Sequence, residues 1–385
     1  MNILRIAAID VGNDALKGYF GSLNKELYIP NVIAEEGEER QEYELEKETL
    51  NGLHIEVTSS SLKEGKGIYA VGKLATTYQF NDELTSDSDK ATSDQTLIML
   101  LTSLAVDAVE TYEEKDGIIQ ATYFLSTGIP LDETKQKYRK VFRDKLKQST
   151  HEVRFLQTPN HSGKKVILKF EEVLVNIEGF AAFVDLTTYD NGQTRNQSML
   201  EKKILINDIG GISTDAAVIN PNGEIDNISS IGIDEGISVY LDEIAESVYD
   251  KYKYKFQSRP LVVDVITGRK AERKNHIKVK GKPVSIQKLV DEVLTKAAKV
   301  QYRHVEHIWR KTPDLDEAYL IGGGSLLLKS YLERINEQKQ EYPITFIGDL
   351  SSEDAIWTIA RAYYKLSMIY AQQKGIELEV AKASE

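Results

Sequence analysis

The feature that most constrains the fold of this chain is a short pattern that occurs twice. Residues 6–17 and residues 204–215 each contain an apolar run, an aspartate, one apolar residue and a glycine. When the two segments are aligned, Asp10 corresponds to Asp208 and the glycines also coincide. An apolar strand that ends in Asp-x-Gly presents a carboxylate and unobstructed backbone amides at the tip of a hairpin. Two such tips predict two similar halves that hold a phosphate chain and its metal ion from both sides.

Glycine at these tips lets the backbone approach a bound anion closely, because no side chain intervenes. The groups predicted to contact phosphate are small or cationic: Gly12, Lys17, Gly210 and Gly211. Asp10 and Asp208 are predicted to hold Mg²⁺ through water, since carboxylate oxygens suit this ion. Either tip alone also fits an ordinary hairpin in which aspartate and glycine serve only the turn. The presence of both tips in register favours the binding interpretation.

The two copies differ in one position that bears on their roles. Lys17 in the first copy occupies the place of Asp215 in the second. The first tip is therefore predicted to hold phosphate charge, and the second is predicted to hold metal and nucleoside.

A third glycine-rich segment lies near the C-terminal end of the chain. Residues 317–321 predict a strand that opens on Gly322, Gly323, Gly324 and Ser325, and an apolar segment follows. A turn from strand to helix of this kind binds phosphate or nucleoside, because the amides of the first helical turn have no partner within the helix. Glycine is also common in ordinary strand-to-helix turns, so this segment indicates a binding site only in combination with the two Asp-x-Gly tips.

The rest of the chain alternates predicted strands and helices, which indicates an α/β protein with two related lobes. One long helix is predicted over residues 284–308. Asp234 is predicted to cap the helix that follows it. Ser351 and Asp354 have the spacing of a capping box, so the last helix is predicted to start there and to run to about Gly375.

Three other patterns are assigned no binding role. Residues 67–73 have the glycine and lysine spacing of a P-loop, but Leu74 replaces the hydroxyl that would bind Mg²⁺. Residues 251–259 are basic with interleaved tyrosines, which is typical of a solvated helix end as well as of a nucleic-acid surface. His304 and His307 share a predicted helix, but no third metal ligand lies near them in sequence.

The composition narrows the classes of function. The chain has 385 residues, of which 41% are hydrophobic and 28% charged, as in a folded protein of two or three domains. Its net charge of −12 disfavours direct DNA binding, which depends on Lys and Arg, so a link to DNA is expected to need a partner protein. Cysteine is absent, which fits the cytosol. Neither a signal peptide nor an apolar run of the ~20 residues that a membrane helix needs is expected.

Taken together, these motifs resemble those of the actin/Hsp70/sugar-kinase ATPase superfamily, in the order that this superfamily uses. The matching segments are residues 9–12 (first phosphate motif), 172–185 (first connecting helix), 207–215 (second phosphate motif), 319–325 (adenosine motif) and 355–366 (second connecting helix). Within the superfamily the chain is most similar to bacterial plasmid-segregating actins of the ParM/StbA type. Residues 126–131, Ser-Thr-Gly-Ile-Pro-Leu, resemble an element of that group.

The resemblance implies an actin-like ATPase fold, with two related RNase H-like lobes around a nucleotide cleft. Residues 1–177 with 352–385 would form lobe I, and residues 178–351 would form lobe II. The implied cofactors are ATP and Mg²⁺, with GTP as an alternative to ATP.

The resemblance also implies roles for individual residues. Glu178 would position or deprotonate the attacking water, and Asp208 with Asp10 would order the Mg²⁺ shell. Asp215 and Gly236 would line the nucleotide cleft, while the glycines at 322–324 would approach the adenosine and the α-phosphate.

Two features of the pattern leave the detail of binding open. Asn13 stands where the first motif usually has a hydroxyl or a glycine, and its amide is able to donate to a phosphate oxygen. Arg269, Lys270 and Glu272 are candidates for packing on adenine, but they also fit plain surface charges.

The implied function is that of a filament-forming ATPase that hydrolyses ATP and drives plasmid DNA segregation. The expected partners are further copies of the chain and a small DNA-binding adaptor of the ParR type on plasmid centromere DNA, with no direct contact to nucleic acid or membrane. The alternatives are a cell-shape or other cytoskeletal bacterial actin and, on the same fold, a small-molecule kinase. Kinases of this fold usually carry larger insertions, and a chaperone of the Hsp70 type would need a further domain.

Overall fold

A computed structural model of the chain describes residues 4–39, 47–84, 88–268, 273–339, 342–347 and 356–379. The chain divides into two compact units, one of Met1–Arg195 with Ile359–Glu385 and the other of Asn196–Thr358. The first boundary between the units therefore follows residue 195, whereas the lobes predicted from the sequence have it after residue 177. The second boundary follows residue 358 rather than residue 351.

The first unit is built on a large mixed sheet of strands β1 to β11. Their order is β3-β2-β1-β9-β11-β10-β5-β6-β4-β7, and β8 pairs with β9. The strands are β1 (Arg5–Val11), β2 (Ala15–Phe20), β3 (Ser22–Pro30), β4 (Val32–Glu35), β5 (Leu53–Ser59), β6 (Lys66–Val71), β7 (Asp82–Glu83), β8 (Glu114–Lys115), β9 (Ile118–Ile129), β10 (His151–Phe155) and β11 (Lys165–Ile177).

Five helices belong mainly to this unit. They are α1 (Asp94–Thr111), α2 (Leu131–Lys135), α3 (Tyr138–Lys147), α4 (Glu178–Thr187) and α10 (Thr358–Lys374). The hydroxyl of Ser93 caps α1 by accepting from the amide of Thr96. Nearly the whole circumference of α1 is buried, and leucines at helical spacing such as Leu97, Leu101 and Leu104 belong to the core of this unit.

The second unit contains a five-stranded sheet in the order β14-β13-β12-β17-β18 and a separate hairpin of β15 and β16. Its strands are β12 (Ile204–Ile209), β13 (Thr214–Ile219), β14 (Ile231–Ile233), β15 (His276–Val279), β16 (Lys282–Ser285), β17 (Glu317–Ile321) and β18 (Ile344–Phe346). Its helices are α5 (Gln197–Leu200), α6 (Ser238–Tyr252), α7 (Arg259–Thr267), α8 (Gln287–Lys311) and α9 (Gly322–Lys339). The core lies between this sheet and α6, α8 and α9.

The duplication in the sequence is also a duplication of strand pairing. In the first unit β1 pairs antiparallel with β2 and parallel with β9. In the second unit β12 pairs antiparallel with β13 and parallel with β17. The α/β class and the two Asp-x-Gly hairpins predicted from the sequence are therefore confirmed.

Several predicted helix starts were wrong. Asp234 does not cap α6, which begins at Ser238 after a turn in which the amide of Glu235 donates to the carbonyl of Ile233. The helix predicted from residue 284 begins at Gln287, because the residues before it form β16.

The boundaries of the two predicted connecting helices also differ from the prediction. The segment 172–185 is helical only from Glu178, since β11 continues beside β9 through a bulge after Phe170. The predicted cap at Ser351 and Asp354 lies outside the described residues. Helix α10 ends at Lys374, as predicted, because Gly375 follows with a φ of +66° and closes it.

Two exclusions from the sequence can be compared with the structure. The P-loop-like residues 67–73 lie mostly in strand β6, so they form no phosphate loop and the rejection is confirmed. In the part of the chain that the structure describes, no helix is both long and apolar enough to cross a membrane.

A buried charge cluster joins α4 to α10 within the first unit. Both carboxylate oxygens of Asp185 accept from the guanidinium of Arg361 at 2.9 and 2.8 Å. The ammonium of Lys365, which is 2% exposed, lies 2.9 Å from the same carboxylate. Because both cations contact this one carboxylate, the charge of Asp185 is expected to stabilise the packing of α4 against α10.

Asp185→Asn should destabilise the protein by about 3–5 kcal/mol, because it leaves two cations around a neutral amide at a buried position. The measurement is the shift in the midpoint of urea denaturation. Asp190→Asn is the matched control: Asp190 is 67% exposed and 3.7 Å from Lys365, so its loss should change stability by less than about 0.5 kcal/mol. Equal shifts for the two variants would contradict the proposed role of Asp185.

Candidate functional site

The first Asp-x-Gly turn joins β1 to β2. Asp10 and Lys17 are directly paired across these strands, and the ammonium of Lys17 lies 2.7 Å from Oδ2 of Asp10. At Gly12 a Cβ atom would lie 2.9 Å from the carbonyl of Ala15 and 3.2 Å from Nζ of Lys17. The turn therefore has no room for a side chain at Gly12, and it presents a carboxylate and an ammonium together. Asn13 follows at the tip and is half-buried.

Two amide side chains that the sequence analysis missed hold this turn in place. Nδ2 of Asn31 donates to the carbonyl of Gly12 at 2.8 Å. Nε2 of Gln95, at the start of α1, donates to Oδ1 of Asn31 at 3.0 Å and to its carbonyl at 3.1 Å. The position of the turn is thus set by the residue between β3 and β4 and by α1, as well as by its own hairpin.

Glu178 is the first residue of α4 and lies close to the first turn. Oε1 of Glu178 is 2.5 Å from Nζ of Lys90, and only 14% of the glutamate side chain is exposed. Burial raises the pKa of Glu178, Lys90 lowers it, and the charge of Asp10 raises it further. Burial opposes the charge of Lys90, but Glu178 and Asp10 outweigh this effect and raise the pKa of the lysine. These groups and Lys17 therefore form one electrostatic cluster.

Glu133 on α2 completes the cluster from another side. Its two carboxylate oxygens accept from the backbone amides of Lys90 and Ala91 at 2.8 and 2.9 Å. Burial raises the pKa of Glu133, while these two amides act in the opposite direction. Neither Lys90 nor Glu133 belongs to one of the motifs in the sequence.

The second Asp-x-Gly turn joins β12 to β13 in the other unit. The amide of Gly210 donates to the carbonyl of Ser213 at 2.9 Å and closes the turn. The carbonyls of Gly210 and Gly211 accept from the amides of Ile237 and Ser238, at 3.0 and 2.7 Å. The start of α6 is thus bound directly to this turn.

Gly236 owes its identity to this contact. A Cβ atom there would lie 2.2 Å from the carbonyl of Gly211 and 2.7 Å from that of Gly210. The resemblance implied that Gly236 lines the nucleotide cleft. The structure shows that its backbone packs closely against the turn at Gly210 and Gly211. Asp215 is buried on β13 and directly paired with Asp208 on β12.

The third glycine-rich segment packs on the end of β12. Gly322 has a φ of +84°, and a Cβ atom there would lie 2.1 Å from Oδ1 of Asp208. At Gly324 a Cβ atom would lie 2.5 Å from Cγ2 of Ile209. Ser325 is buried and donates its hydroxyl to the carbonyl of Gly322 at 2.9 Å, a bond back to the first residue of its own helix.

The structure therefore brings the predicted residues together in two groups. In the first unit these are Asp10, Gly12, Asn13, Lys17 and Glu178. In the second unit they are Asp208, Gly210, Gly211, Asp215, Gly236, Gly322, Gly324 and Ser325, with Gly323 exposed beside them. Arg269, Lys270 and Glu272, the candidates for adenine packing, lie outside the described residues.

Gly322→Ala should destabilise the second unit by about 2–5 kcal/mol, because alanine is strained at positive φ and its methyl group would clash with Asp208. Gly323→Ala is the matched control, since no atom lies within 4 Å of a Cβ there, and its effect should stay within about 0.5 kcal/mol. Thermal unfolding of the two variants measures the difference. A Gly322→Ala protein as stable as Gly323→Ala would show that the packing of this turn is looser than described.

A cavity of about 260 Å³ lies beside the start of α9 in the second unit. Its wall is mixed: apolar side chains such as Ile266, Leu326 and Leu327 alternate with polar ones such as Thr267, Lys274 and Glu333. Leu326 comes two residues after Gly324, so the cavity adjoins the glycine-rich turn.

Two family models match the chain, one in each half. Residues 8–180 match the N-terminal domain of actin-like proteins, and residues 203–354 match the C-terminal domain of Alp7A. The chain is a bacterial actin-like protein. The relationship to bacterial actins of the ParM type that the sequence motifs predicted is confirmed. None of the curated proteins matches the chain in sequence.

Solved structures of bacterial actin-like proteins share its fold over nearly their whole length. ParM of Bacillus thuringiensis with ATP is 20% identical with a TM-score of 0.72, covering 96% of this chain and 100% of ParM. The actin-like protein Alp7A is 16% identical with a TM-score of 0.78, covering 97% and 98%. ParM from a 15-stranded filament of Clostridium botulinum is 20% identical with a TM-score of 0.71, covering 95% and 99%. The actin-like two-lobed fold predicted from the sequence is therefore confirmed.

Proposed function

We propose that this actin-like protein binds ATP with Mg²⁺, assembles into filaments, hydrolyses the bound ATP and drives plasmid DNA segregation. The observation that carries the proposal is the buried cluster of Asp10, Lys17 and Glu178 at the first turn. A structural hairpin has no need for three ionisable side chains around one glycine turn, whereas phosphoryl transfer needs such groups for positioning and charge.

The phosphate and metal contacts follow from the two turns. In the first unit the turn at Gly12 and Asn13 would contact the phosphates, and the ammonium of Lys17 would bind them as a cation. In the second unit Gly210 and Gly211 offer the corresponding turn. The carboxylates of Asp10 and Asp208 fit Mg²⁺, because both are hard oxygen donors at the ends of strands, and they would hold it through water. When bound, Mg²⁺ supplies positive charge to the phosphate oxygens.

Glu178 is proposed to orient or deprotonate the attacking water. Its position at the first residue of α4 fixes the backbone, and burial favours a carboxylate that is able to accept a proton. Lys90 donates to Oε1 of Glu178, so the attacking water would donate its hydrogen bond to Oε2.

The nucleoside is proposed to bind in the second unit. The turn at Gly322, Gly323 and Gly324 leads from β17 into α9, and the cavity near Leu326 and Tyr331 follows it directly. The base would lie against Leu326 and Tyr331 in that cavity. The B. thuringiensis ParM structure contains ATP, which supports ATP as the nucleotide but does not bear on where the base binds. ATP rather than GTP is the proposed nucleotide.

The proposal for assembly rests on the relatives. The C. botulinum ParM structure is of a filament, and its fold covers 95% of this chain. We propose that this protein likewise contacts further copies of itself in the cytoplasm. Its net charge of −12 disfavours direct binding to DNA, so a small DNA-binding adaptor of the ParR type on centromere DNA is the proposed second partner.

The proposal is tested by measuring light scattering and phosphate release in the same sample. The protein is given Mg²⁺ with one of three nucleotides: ATP, the non-hydrolysed analogue AMPPNP, or ADP. Scattering should rise with ATP and with AMPPNP, and phosphate should appear only with ATP, without any added acceptor. A monomer at tens of micromolar protein under all conditions would refute filament formation. Phosphate transfer only in the presence of a small hydroxyl compound would favour the kinase alternative.

A further inference from the structure

Lys90 lies in the loop before α1, and the roles proposed above do not include it. Its side chain is 7% exposed, and its ammonium is 2.5 Å from Glu178. Burying an ammonium is costly unless a charged partner compensates for the lost water. Glu178 is that partner.

The backbone of Lys90 is held as firmly as its side chain. The carboxylate of Glu133 accepts from the amides of both Lys90 and Ala91. Glu133 lies on α2, directly after the segment 126–131 that the sequence analysis singled out. A continuous chain of contacts thus runs from α2 through the loop to the first residue of α4.

Lys90 contacts only one oxygen of the glutamate, Oε1. A carboxylate held at one oxygen is restricted in its rotation and leaves its second oxygen for another donor. The rotation of a glutamate side chain that is free at both oxygens would move the second oxygen by more than 1 Å, and displacement of this size costs about a hundredfold in rate. The contact with Lys90 is therefore suited to positioning Glu178.

We infer that Lys90 is a positioning residue for Glu178, and that Glu133 keeps Lys90 in place by binding its backbone. The inference rests on the proposed hydrolysis of ATP by Glu178. In this arrangement Lys90 acts through the glutamate, so its removal should change turnover only when Glu178 is present.

A double-mutant cycle tests the inference through phosphate release at saturating ATP. Lys90→Met should lower kcat about 10–100-fold and change nucleotide affinity by less than about threefold. In the Glu178→Gln background, Lys90→Met should produce no further loss. The control is Lys140→Met, which removes a 75% exposed lysine from an ion pair and should leave kcat unchanged.

Folding of the variants can be kept separate from turnover. Lys90→Met leaves the Glu178 carboxylate without its partner, whereas the double variant removes both charges, and thermal unfolding reports on each. Should Lys90→Met not fold, Glu133→Gln takes its place, because it weakens the hold on the loop and keeps the ion pair. It should lower kcat several-fold, again only when Glu178 is present.

The outcomes separate this inference from the proposed function. A wild type that releases phosphate no faster than Glu178→Gln overturns the proposed hydrolysis and this inference with it. An active wild type with a Lys90→Met variant of equal kcat overturns the inference alone. Equal losses from Lys90→Met in both backgrounds, or a loss of affinity as large as the loss of kcat, also overturn it.

Discussion

Glu178→Gln should lower the rate of ATP hydrolysis by about 10²–10⁴-fold, because the amide neither accepts a proton from water nor carries the charge that orients it. Nucleotide binding should be retained, since the glutamate is assigned to the water and not to the phosphates. The amide oxygen still accepts from Lys90, so the buried lysine keeps a partner and the fold should persist. Phosphate release at saturating ATP is the measurement.

Assembly gives this variant a second readout. If hydrolysis weakens the contacts between subunits, filaments of Glu178→Gln formed with ATP should persist, whereas wild-type filaments should disassemble as ATP is consumed. Glu171→Gln is a suitable control, because Glu171 is an exposed acid on β11, seven residues before Glu178. Unchanged phosphate release by Glu178→Gln would remove the glutamate from the mechanism.

The parts of the fold that the sequence predicted are those with a local pattern. Each Asp-x-Gly tip follows an apolar strand, and the strand, the turn and the carboxylate all lie within about ten residues. Glycine at positions 12 and 210 is required by contacts within the turn itself, and Gly322 is favoured locally by its φ of +84°, so the residue type alone indicates the constraint. The two hairpins and the strand-to-helix turn could therefore be found without the structure.

The parts that the sequence did not predict depend on partners far apart in the chain. The ion pair of Lys90 with Glu178 spans 88 residues, and the hydrogen bond from the amide of Lys90 to Glu133 spans 43. Lys90 lies in a polar loop, where a lysine is ordinarily solvated, and nothing in the neighbouring residues marks it as buried. Such contacts follow from the sheet order, in which β9 lies between β1 and β11, and local periodicity does not encode that order.

Two element boundaries were also mispredicted. The resemblance extended the first connecting helix back to residue 172, but pairing with β9 continues strand β11 to Ile177, and the helix begins at Glu178. Asp234 has the side chain of a helix cap, but the close contact of Gly236 with Gly211 delays the start of α6 to Ser238. Tertiary contacts outweighed local preference in both places.

Asp208→Asn should reduce ATP hydrolysis by at least about a hundredfold, because the proposed Mg²⁺ shell loses a charge at the end of β12. Lys17→Ala should mainly weaken nucleotide binding, by about 10–100-fold, since it removes one charge-assisted hydrogen bond to phosphate. At saturating ATP the Lys17→Ala protein should retain most of its turnover. Titration with a fluorescent nucleotide and phosphate release against ATP concentration separate the two effects.

The contrast between these variants tests whether the two copies of the Asp-x-Gly pattern have diverged. Lys17 and Asp215 occupy equivalent places, paired with Asp10 and Asp208 respectively, so the first turn carries a cation where the second carries another carboxylate. A cation beside one carboxylate favours phosphate, and two carboxylates across a strand pair favour a metal ion. If Lys17→Ala and Asp208→Asn lost affinity and turnover in the same proportion, the two turns would have equivalent roles. The assignment of phosphate to the first turn and metal to the second would then be wrong. If only Asp208→Asn lost its response to added Mg²⁺, the second turn would be the one that depends on the metal.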